Sequence, residues 1–309
     1  MKQQTRGSLM LLLCAMVWGA AFVAQSEGMN YVGPFTMQAA RYFLAGLVLV
    51  PVIFLRDKKG ISVRPSGMTA KRQLLCGVVC GLLLCTASII QQYGIIHTTV
   101  GKSGFITTMY IILVPFLGLF VKLRVKLMNW VCAILALVIS CSLYLLCAGG
   151  EGLSGVNAGD WLTLLCAVFF ACHILFIDRT CHDLDGVRLS CIQFFTASAV
   201  SILPMLLLEH PSWAAIQSAW LPIVYAGVCS GGVGYTLQIL GQQLVPPTLA
   251  SMILSLESVF IGLCRPLRLD HPPTGTERAR ASWLPRHLYR HRHCPASVQG
   301  NRCRIISDR

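Results

Sequence analysis

Long apolar runs alternate with short polar segments from residue 8 to residue 264. A transmembrane helix needs about 20 mostly apolar residues, the length that crosses the hydrocarbon core of a bilayer. The first run is too long for the apolar part of a signal peptide and ends without a clear cleavage pattern. The sequence therefore predicts an all-α membrane protein with spans at 8–26, 33–55, 73–92, 98–120, 129–147, 160–177, 189–208, 219–240 and 247–264.

The basic residues of the loops fall on one side of the predicted bundle. Thirteen Lys and Arg residues lie in the amino-terminal segment and in the loops after the second, fourth and sixth spans. The loops on the other side contain no Lys or Arg, although they contain Glu27, Glu151 and Glu209. Because cytoplasmic loops carry an excess of Lys and Arg, we expect a multi-pass protein of the inner (plasma) membrane with a cytoplasmic amino terminus.

A weak internal repeat relates the two halves of the chain. The segment at 13–23 resembles the segment at 165–175, an offset of 152 residues. Further matches follow in the same order: Gly33 and Pro51 with Gly186 and Pro204, Gly77 and Gly81 with Gly227 and Gly231, and LVPF at 113–116 with LESVF at 256–260. Each Gly-x3-Gly pair also predicts close helix packing.

The repeat unit contains five helices, so the second copy must enter the membrane inverted. We assign residues 1–150 to the first repeat and residues 151–264 to the second, which is incomplete. Two inverted five-helix repeats are typical of secondary transporters. The alternative is a duplication that only builds a stable bundle.

The last 45 residues, 265–309, depart from the repeat. The span at 129–147 should have a counterpart near 272–297, but that segment is Arg-rich and cannot cross a bilayer. The repeat thus predicts ten spans, of which about nine are present. Our hypothesis is that a frameshift near Ile261 replaced the tenth helix with a tail that is not native-like. The alternative is a genuine disordered, membrane-surface or polyanion-binding tail.

Composition supports a membrane location and narrows the chemistry. The chain is 55% hydrophobic and 12% charged, whereas soluble domains carry roughly 25% charged residues. Its net charge of +13 does not indicate a nucleic-acid partner, because residues 265–309 contribute seven of those charges. Most of the 15 cysteines lie in apolar runs, where they behave as small hydrophobes. We therefore expect no metal, no structural disulfide and no cofactor.

Four segments carry the most specific motifs: WGAAFV at 18–23, AARYFLAGL at 39–47, GKSGFITTMYIILVPFLGLF at 101–120 and PPTLASMILSLESVF at 246–260. With them the chain resembles the EamA-like transporters of the drug/metabolite transporter superfamily, from residue 1 to about residue 260. The resemblance implies ten helices in two inverted halves around a central cavity for small polar or amphipathic metabolites. It also implies export driven by an ion gradient. The missing tenth helix departs from this pattern.

Ionisable residues inside the spans are functional candidates because charge at membrane depth is costly. Arg41 and Glu257 are predicted at similar depth, about 12 and 15 Å from opposite faces of the membrane. They could form a pair with which a substrate or a proton exchanges. The alternatives are a static ion pair, or an Arg41 that snorkels toward the headgroups. Lys102 is expected near the outer mouth of the cavity, with interfacial snorkelling as its alternative.

Polar and aromatic side chains complete the candidate substrate site. The resemblance implies that their spans line the cavity, which makes Trp18, Gln91, Tyr110, Tyr235 and Gln238 candidate contacts. The alternatives are interfacial anchoring for Trp and Tyr and simple solvation for Gln near the span ends. His173 is also expected to face the cavity.

His173 and Asp178 share the His-x4-Asp spacing of glycerolipid acyltransferases. Five residues along an α-helix separate two side chains by about 140°, so this pair is not expected to share a helix face.

Taken together, the sequence favours a secondary transporter, an exporter of small metabolites or drugs that works by alternating access. Its expected partners are a small-molecule substrate, the lipid bilayer and a coupling ion. The alternatives are an inactive truncated membrane protein and a membrane-embedded acyltransferase-like enzyme.

Overall fold

The nine apolar runs all fold as helices, which confirms the all-α prediction. The computed structural model describes residues 2–61, 67–123, 125–147 and 157–264, and no strand occurs among them. The helices are α1 (Lys2–Gly28), α2 (Pro34–Lys58), α3 (Gly67–His97), α4 (Val100–Phe120), α5 (Leu127–Cys147), α6 (Ala158–Thr180), α7 (Gly186–Glu209), α8 (Trp220–Gln242) and α9 (Pro247–Leu254 followed by Glu257–Cys264), with a short helix at Trp213–Ser218.

Seven of these helices, α1 to α4 and α6 to α8, are long and apolar enough to cross a membrane. The other two contain shorter apolar segments, Leu127–Val138 in α5 and Pro247–Gly262 in α9. The frameshift hypothesis and the alternatives for the tail concern residues 265–309, which lie outside the described residues.

One end of the bundle gathers the loops that are rich in Lys and Arg. Arg56 Nη1 of α2 lies 3.0 Å from Asp185 Oδ1, in the residue before α7. Gln243, after α8, donates from Nε2 to the Cys181 carbonyl oxygen at 2.8 Å. We call this the basic end; it also carries Lys58, Arg72, Arg179 and Arg188.

The opposite end joins the other termini of the same helices. Glu209, the last residue of α7, accepts hydrogen bonds from the backbone N–H groups of Phe35 (2.8 Å) and Thr36 (2.7 Å) at the start of α2. Thr98 Oγ1, just after α3, donates to Asp160 Oδ1 near the start of α6 at 2.8 Å. These helices therefore run between the two ends in alternating directions, as the loop charges predict.

The two Gly-x3-Gly pairs bring helix backbones close together, as expected. A Cβ atom added at Gly81 of α3 would lie 2.7 Å from the carbonyl oxygen of Gln193 in α7. A Cβ atom added at Gly227 of α8 would lie 2.9 Å from the carbonyl oxygen of Arg41 in α2. Small residues therefore permit the contacts of α3 with α7 and of α8 with α2.

The outer surface of the bundle is more apolar than that of a soluble protein. Large apolar side chains such as Phe54, Leu119 and Leu165 are exposed on its outside. Polar side chains are buried, as at Gln38, whose Nε2 donates to Ser201 Oγ at 3.2 Å. This distribution fits a lipid surround, in which polar groups must find partners within the protein.

Adjacent glycines in α8 allow a direct test of this packing. A Cβ atom at position 231 would lie 2.6 Å from the Cβ of Ala45, whereas one at position 232 has nothing nearer than 3.6 Å. We expect Gly231→Ala to lower the free energy of unfolding by about 1–3 kcal/mol because it overpacks the contact with α2. Gly232→Ala, the matched control, is expected to leave it unchanged or raise it by up to about 1 kcal/mol. Unfolding in detergent micelles measures both, and equal effects would contradict the packing.

Candidate functional site

A cavity lies in the interior of the bundle between helices of both halves of the chain. The space free of protein atoms in and around it, including space open to the outside, is about 440 Å³. Seven of the nine candidate residues line it, namely Trp18, Arg41, Gln91, Tyr110, Tyr235, Gln238 and Glu257. The rest of the lining consists of Ala21, Phe22, Gln25, Thr107, Phe170, Ile174 and Ser230.

Arg41 of α2 reaches the cavity in a setting of neutral partners. The residue is 3% exposed. Its Nη1 donates to Gln25 Oε1, and its Nη2 donates to Tyr42 Oη at 3.0 Å. Its guanidinium carbon also lies 4.5 Å from the centre of the Tyr42 ring, a cation–π contact. Tyr42 Oη in turn shares a hydrogen bond with Ser88 Oγ, which fixes the position of the phenol.

Glu257 of α9 faces the cavity from a different wall and is 2% exposed. It accepts a hydrogen bond at Oε1 from Tyr110 Oη of α4, at 3.0 Å. Glu257 and Arg41 therefore line the same cavity, but among the described residues no ion pair joins them. The direct pair expected from the sequence is not formed in this structure.

Tyr110 and Glu257 each follow a break in their helix. The helical pattern of α4 is interrupted at 108–109 and that of α9 at 255–256. The hydroxyl at each break bonds back to the preceding turn: Thr108 Oγ1 donates to the Phe105 carbonyl oxygen at 2.7 Å, and Ser255 Oγ to that of Met252 at 2.8 Å. Such bonds compete with helical hydrogen bonding. The two breaks are therefore built alike, and they place Tyr110 and Glu257 at matching positions.

Aromatic rings form much of the remaining wall. The rings of Trp18 and Tyr235 lie 4.5 Å apart between centroids. Trp18 Nε1 donates to the Ser230 carbonyl oxygen at 3.4 Å. Ser230 belongs to Tyr225–Tyr235, a π-helical part of α8, and such wide turns occur frequently at functional sites. The wall therefore combines ring faces with polar atoms.

Two amide side chains add polar groups to the lining. Gln91 Nε2 of α3 donates to Thr107 Oγ1 at 3.3 Å. Gln238 of α8 is buried, and its Oε1 has no hydrogen-bond partner among the described residues. An unpaired buried acceptor of this kind is available to a ligand or a water molecule.

Lys102 does not line the cavity. Its Nζ lies 2.6 Å from Asp160 Oδ2 of α6 in a largely buried ion pair. Asp160 also forms a capping box with Asn157 at the start of α6, in which each side chain accepts the other residue's backbone N–H. Lys102 therefore ties α4 to α6, and its place near the outer mouth of the cavity stays a prediction.

His173 is fully buried and lies outside the residues that line the cavity. Its ring packs edge-on against Tyr235, with centroids 6.5 Å apart, and its Nε2 lies 3.1 Å from Gln193 Oε1. Asp178 Oδ1 instead lies 3.5 Å from His182 Nε2. His173 therefore supports the cavity wall from behind, and its hydrogen bond goes to Gln193 in place of Asp178.

Sequence reasoning missed three polar contributors to the lining. Gln25, near the end of α1, accepts from Arg41, and Thr107 accepts from Gln91. Ser230 contributes its carbonyl oxygen to Trp18. A polar side chain within an apolar run was the available signal for Gln25. No sequence signal marks the backbone acceptor of Ser230.

The ion pair of Lys102 with Asp160 predicts a specific pattern of stability loss. Lys102→Met leaves a buried carboxylate without its cation, so we expect a loss of about 3–5 kcal/mol in the free energy of unfolding. Adding Asp160→Asn removes the second charge while keeping an acceptor for Thr98, and should restore part of that loss. Denaturant titration in detergent micelles measures the free energy of unfolding of both single variants and of the double variant. If the losses of the single variants add up in the double variant, the pairing is contradicted.

Comparisons with known proteins agree with this architecture. The sequence model of the EamA-like transporter family matches residues 5–145 and 157–278. A protein of Archaeoglobus fulgidus described as an "Uncharacterized transporter" is 27% identical over 253 residues, which cover 82% of this chain and 75% of that protein. A solved structure described as "Crystal structure of protein" superposes with a TM-score of 0.67 at 16% identity, covering 90% of this chain and 92% of its own.

These findings identify the type of protein. The described fold, with seven helices able to cross a membrane, is that of a multi-pass membrane protein. The family match and the relative from Archaeoglobus fulgidus point to a membrane transporter in preference to an enzyme. The match covers most of the sequence, and the chain belongs to the EamA-like transporter family.

Proposed function

We propose that the protein is a secondary transporter that exports small metabolites or drugs by alternating access, with the cavity as its substrate site. The observation that carries the proposal is the composition of the cavity wall. Two ionisable side chains, Arg41 and Glu257, are held within an apolar bundle and face the same cavity. Ionisable groups at membrane depth mark substrate and ion pathways.

We assign the two halves of the site to inverted repeats, residues 1–150 and 151–264. In this assignment α1, α2, α3 and α4 correspond to α6, α7, α8 and α9. Helix contacts support it, because a contact between two helices recurs between the corresponding two helices. The contact of α3 with α6 matches that of α8 with α1, and α4 with α6 matches α9 with α1. Rocking of two such halves around a fixed site is the mechanism associated with inverted repeats.

Access from the basic end requires a rearrangement of side chains. Two ion pairs link α2 to the start of α7 there, Arg56 with Asp185 and Arg188 with Asp57. We place this end in the cytoplasm of a cell with an inner (plasma) membrane, because of the excess of Lys and Arg. Loading a substrate for export would then separate these residues while the opposite end, held by Glu209 and Thr36, stays closed.

Glu257 is our candidate for the site of the coupling ion, which we take to be a proton. Its only hydrogen-bond partner among the described residues is the neutral hydroxyl of Tyr110. A carboxyl group so placed can hold or release a proton without breaking an ion pair. Charge exchange at Glu257 would then accompany the movement of the two halves.

A matched set of variants tests transport. Purified protein is reconstituted into vesicles loaded with a small-molecule extract of cells, and mass spectrometry identifies what leaves. We expect the wild-type chain to release at least one compound unchanged, and Arg41→Gln and Glu257→Gln to reduce that release at least about tenfold through loss of charged contacts. Arg72→Gln, at the surface of the basic end, is the control and should transport normally. Release of a chemically altered compound would favour the enzyme, and no release would refute transport.

The proton hypothesis makes a separate prediction. An outside-acid pH gradient should accelerate export by the wild-type protein, because protons entering through Glu257 drive the return of the empty carrier. Glu257→Gln should retain only residual flux, and that flux should not respond to the gradient. Tyr110→Phe keeps the carboxyl group and should keep the response with an altered rate. A gradient response that persists in Glu257→Gln would exclude Glu257 as the coupling site.

A further inference from the structure

Arg41 carries a permanent charge for which the described residues provide no carboxylate partner. A guanidinium stays protonated in proteins and has five N–H donors. Two of these bond to Gln25 and Tyr42, which are neutral. The Nε atom is buried without a hydrogen-bond partner. Within the described part of the chain, no carboxylate forms an ion pair with Arg41.

Other largely buried or half-buried cations of the bundle do have carboxylate partners. Lys102 Nζ lies 2.6 Å from Asp160 Oδ2. At the basic end, Arg56 and Arg188 contact Asp185 and Asp57. Arg41 is more deeply buried than these arginines and faces the cavity. Since a buried charge without a counter-ion is strongly destabilising, the lack of a carboxylate partner for Arg41 among the described residues requires a reason.

We propose that the substrate supplies the missing anion: it is a small organic molecule that places a carboxylate on Arg41 and an apolar body against the aromatic wall. This inference rests on the proposed transport function. A carboxylate matches the planar fork of a guanidinium, and the Nε–H group is free to donate to it. Trp18, Tyr235 and Phe170 present the ring surfaces that an apolar body would cover.

The remaining charges of the cavity favour a single carboxylate over a more highly charged group. Arg41 is the one Lys or Arg among its described lining residues, and Glu257 is the one acid. A dianionic phosphate would gain one cation and meet a carboxyl group in the same space. A carboxylate needs only Arg41. Glu257 is then free to carry the exchanged proton or to accept an ammonium group of the same substrate.

Three compounds with the same branched apolar body test this assignment by calorimetric titration of the purified full-length protein. They are 4-methylpentanoate, its neutral amide 4-methylpentanamide, and leucine. We expect a carboxylate to bind about ten- to a hundredfold more tightly than the amide, as a charge-assisted contact requires. Preference for 4-methylpentanoate identifies a simple anion as the ligand, and preference for leucine identifies a zwitterion whose ammonium group adds to the binding.

Variants locate the effect at Arg41. Arg41→Gln should bind the preferred carboxylate no better than the amide, whereas Arg41→Lys, which keeps a cation, should retain part of the preference. Arg72→Gln is the control and should bind as the wild-type protein does. If Arg41→Gln does not fold, the affinities of the wild-type protein and of Arg41→Lys for the carboxylates and the amide still test the assignment.

Three results would overturn the inference: equal affinity for the amide and both carboxylates, no binding of either carboxylate, or a carboxylate preference that survives Arg41→Gln. Binding is measured here without flux, so the two proposals fail separately. If the protein binds a carboxylate more tightly than the amide through Arg41 but releases nothing from loaded vesicles, only the transport proposal is refuted. Transport without such a preference refutes the carboxylate assignment alone.

Discussion

Polar groups at membrane depth have no water to bond with, and their partners must come from the protein itself. This constraint organises the interior of the bundle. Gln92 donates to Gln38, which donates in turn to Ser201, and Lys102 is paired with Asp160. Arg41 and Glu257 differ from these groups, because both ionisable side chains face the cavity and their hydrogen-bond partners among the described residues are neutral. A ligand bound in the cavity could complete the pairing of Arg41, whose Nε atom has no hydrogen-bond partner among the described residues.

Close helix packing occurs at corresponding places in the two repeats that we propose. Glycines of α3 rest against α7, and glycines of α8 rest against α2. The breaks of α4 and α9 place Tyr110 and Glu257 at matching positions, where they meet across the cavity wall. If the two halves are inverted repeats, as we propose, the bundle has two related ways of opening. This is the physical basis for proposing that one site serves both sides of the membrane.

The sequence predicted the helices well because hydrophobic length depends only on local composition. Seven of its candidate residues line the cavity. Arg41 and Glu257 were candidates as ionisable residues within apolar runs, and the other five because the family resemblance implies that their spans line a cavity. The sequence could not identify the partner of Lys102, because Asp160 is 58 residues away and no local signal reveals their contact. His173 lies behind the lining for a similar reason: helices that are apolar on most sides do not reveal which face meets a cavity. The bond between Tyr110 and Glu257, 147 residues apart, follows from the fold alone.

We propose that a single cavity binds a substrate alternately from the two sides of the membrane. Counterflow tests it most directly, with vesicles that contain an unlabelled excess of the exported compound and an isotope-labelled trace outside. An alternating carrier exchanges one molecule for another. We therefore expect the label to accumulate transiently inside the vesicles above its outside concentration. This accumulation should be lost in Arg41→Gln. Simple equilibration of the label without overshoot would contradict alternating access and indicate an open pore.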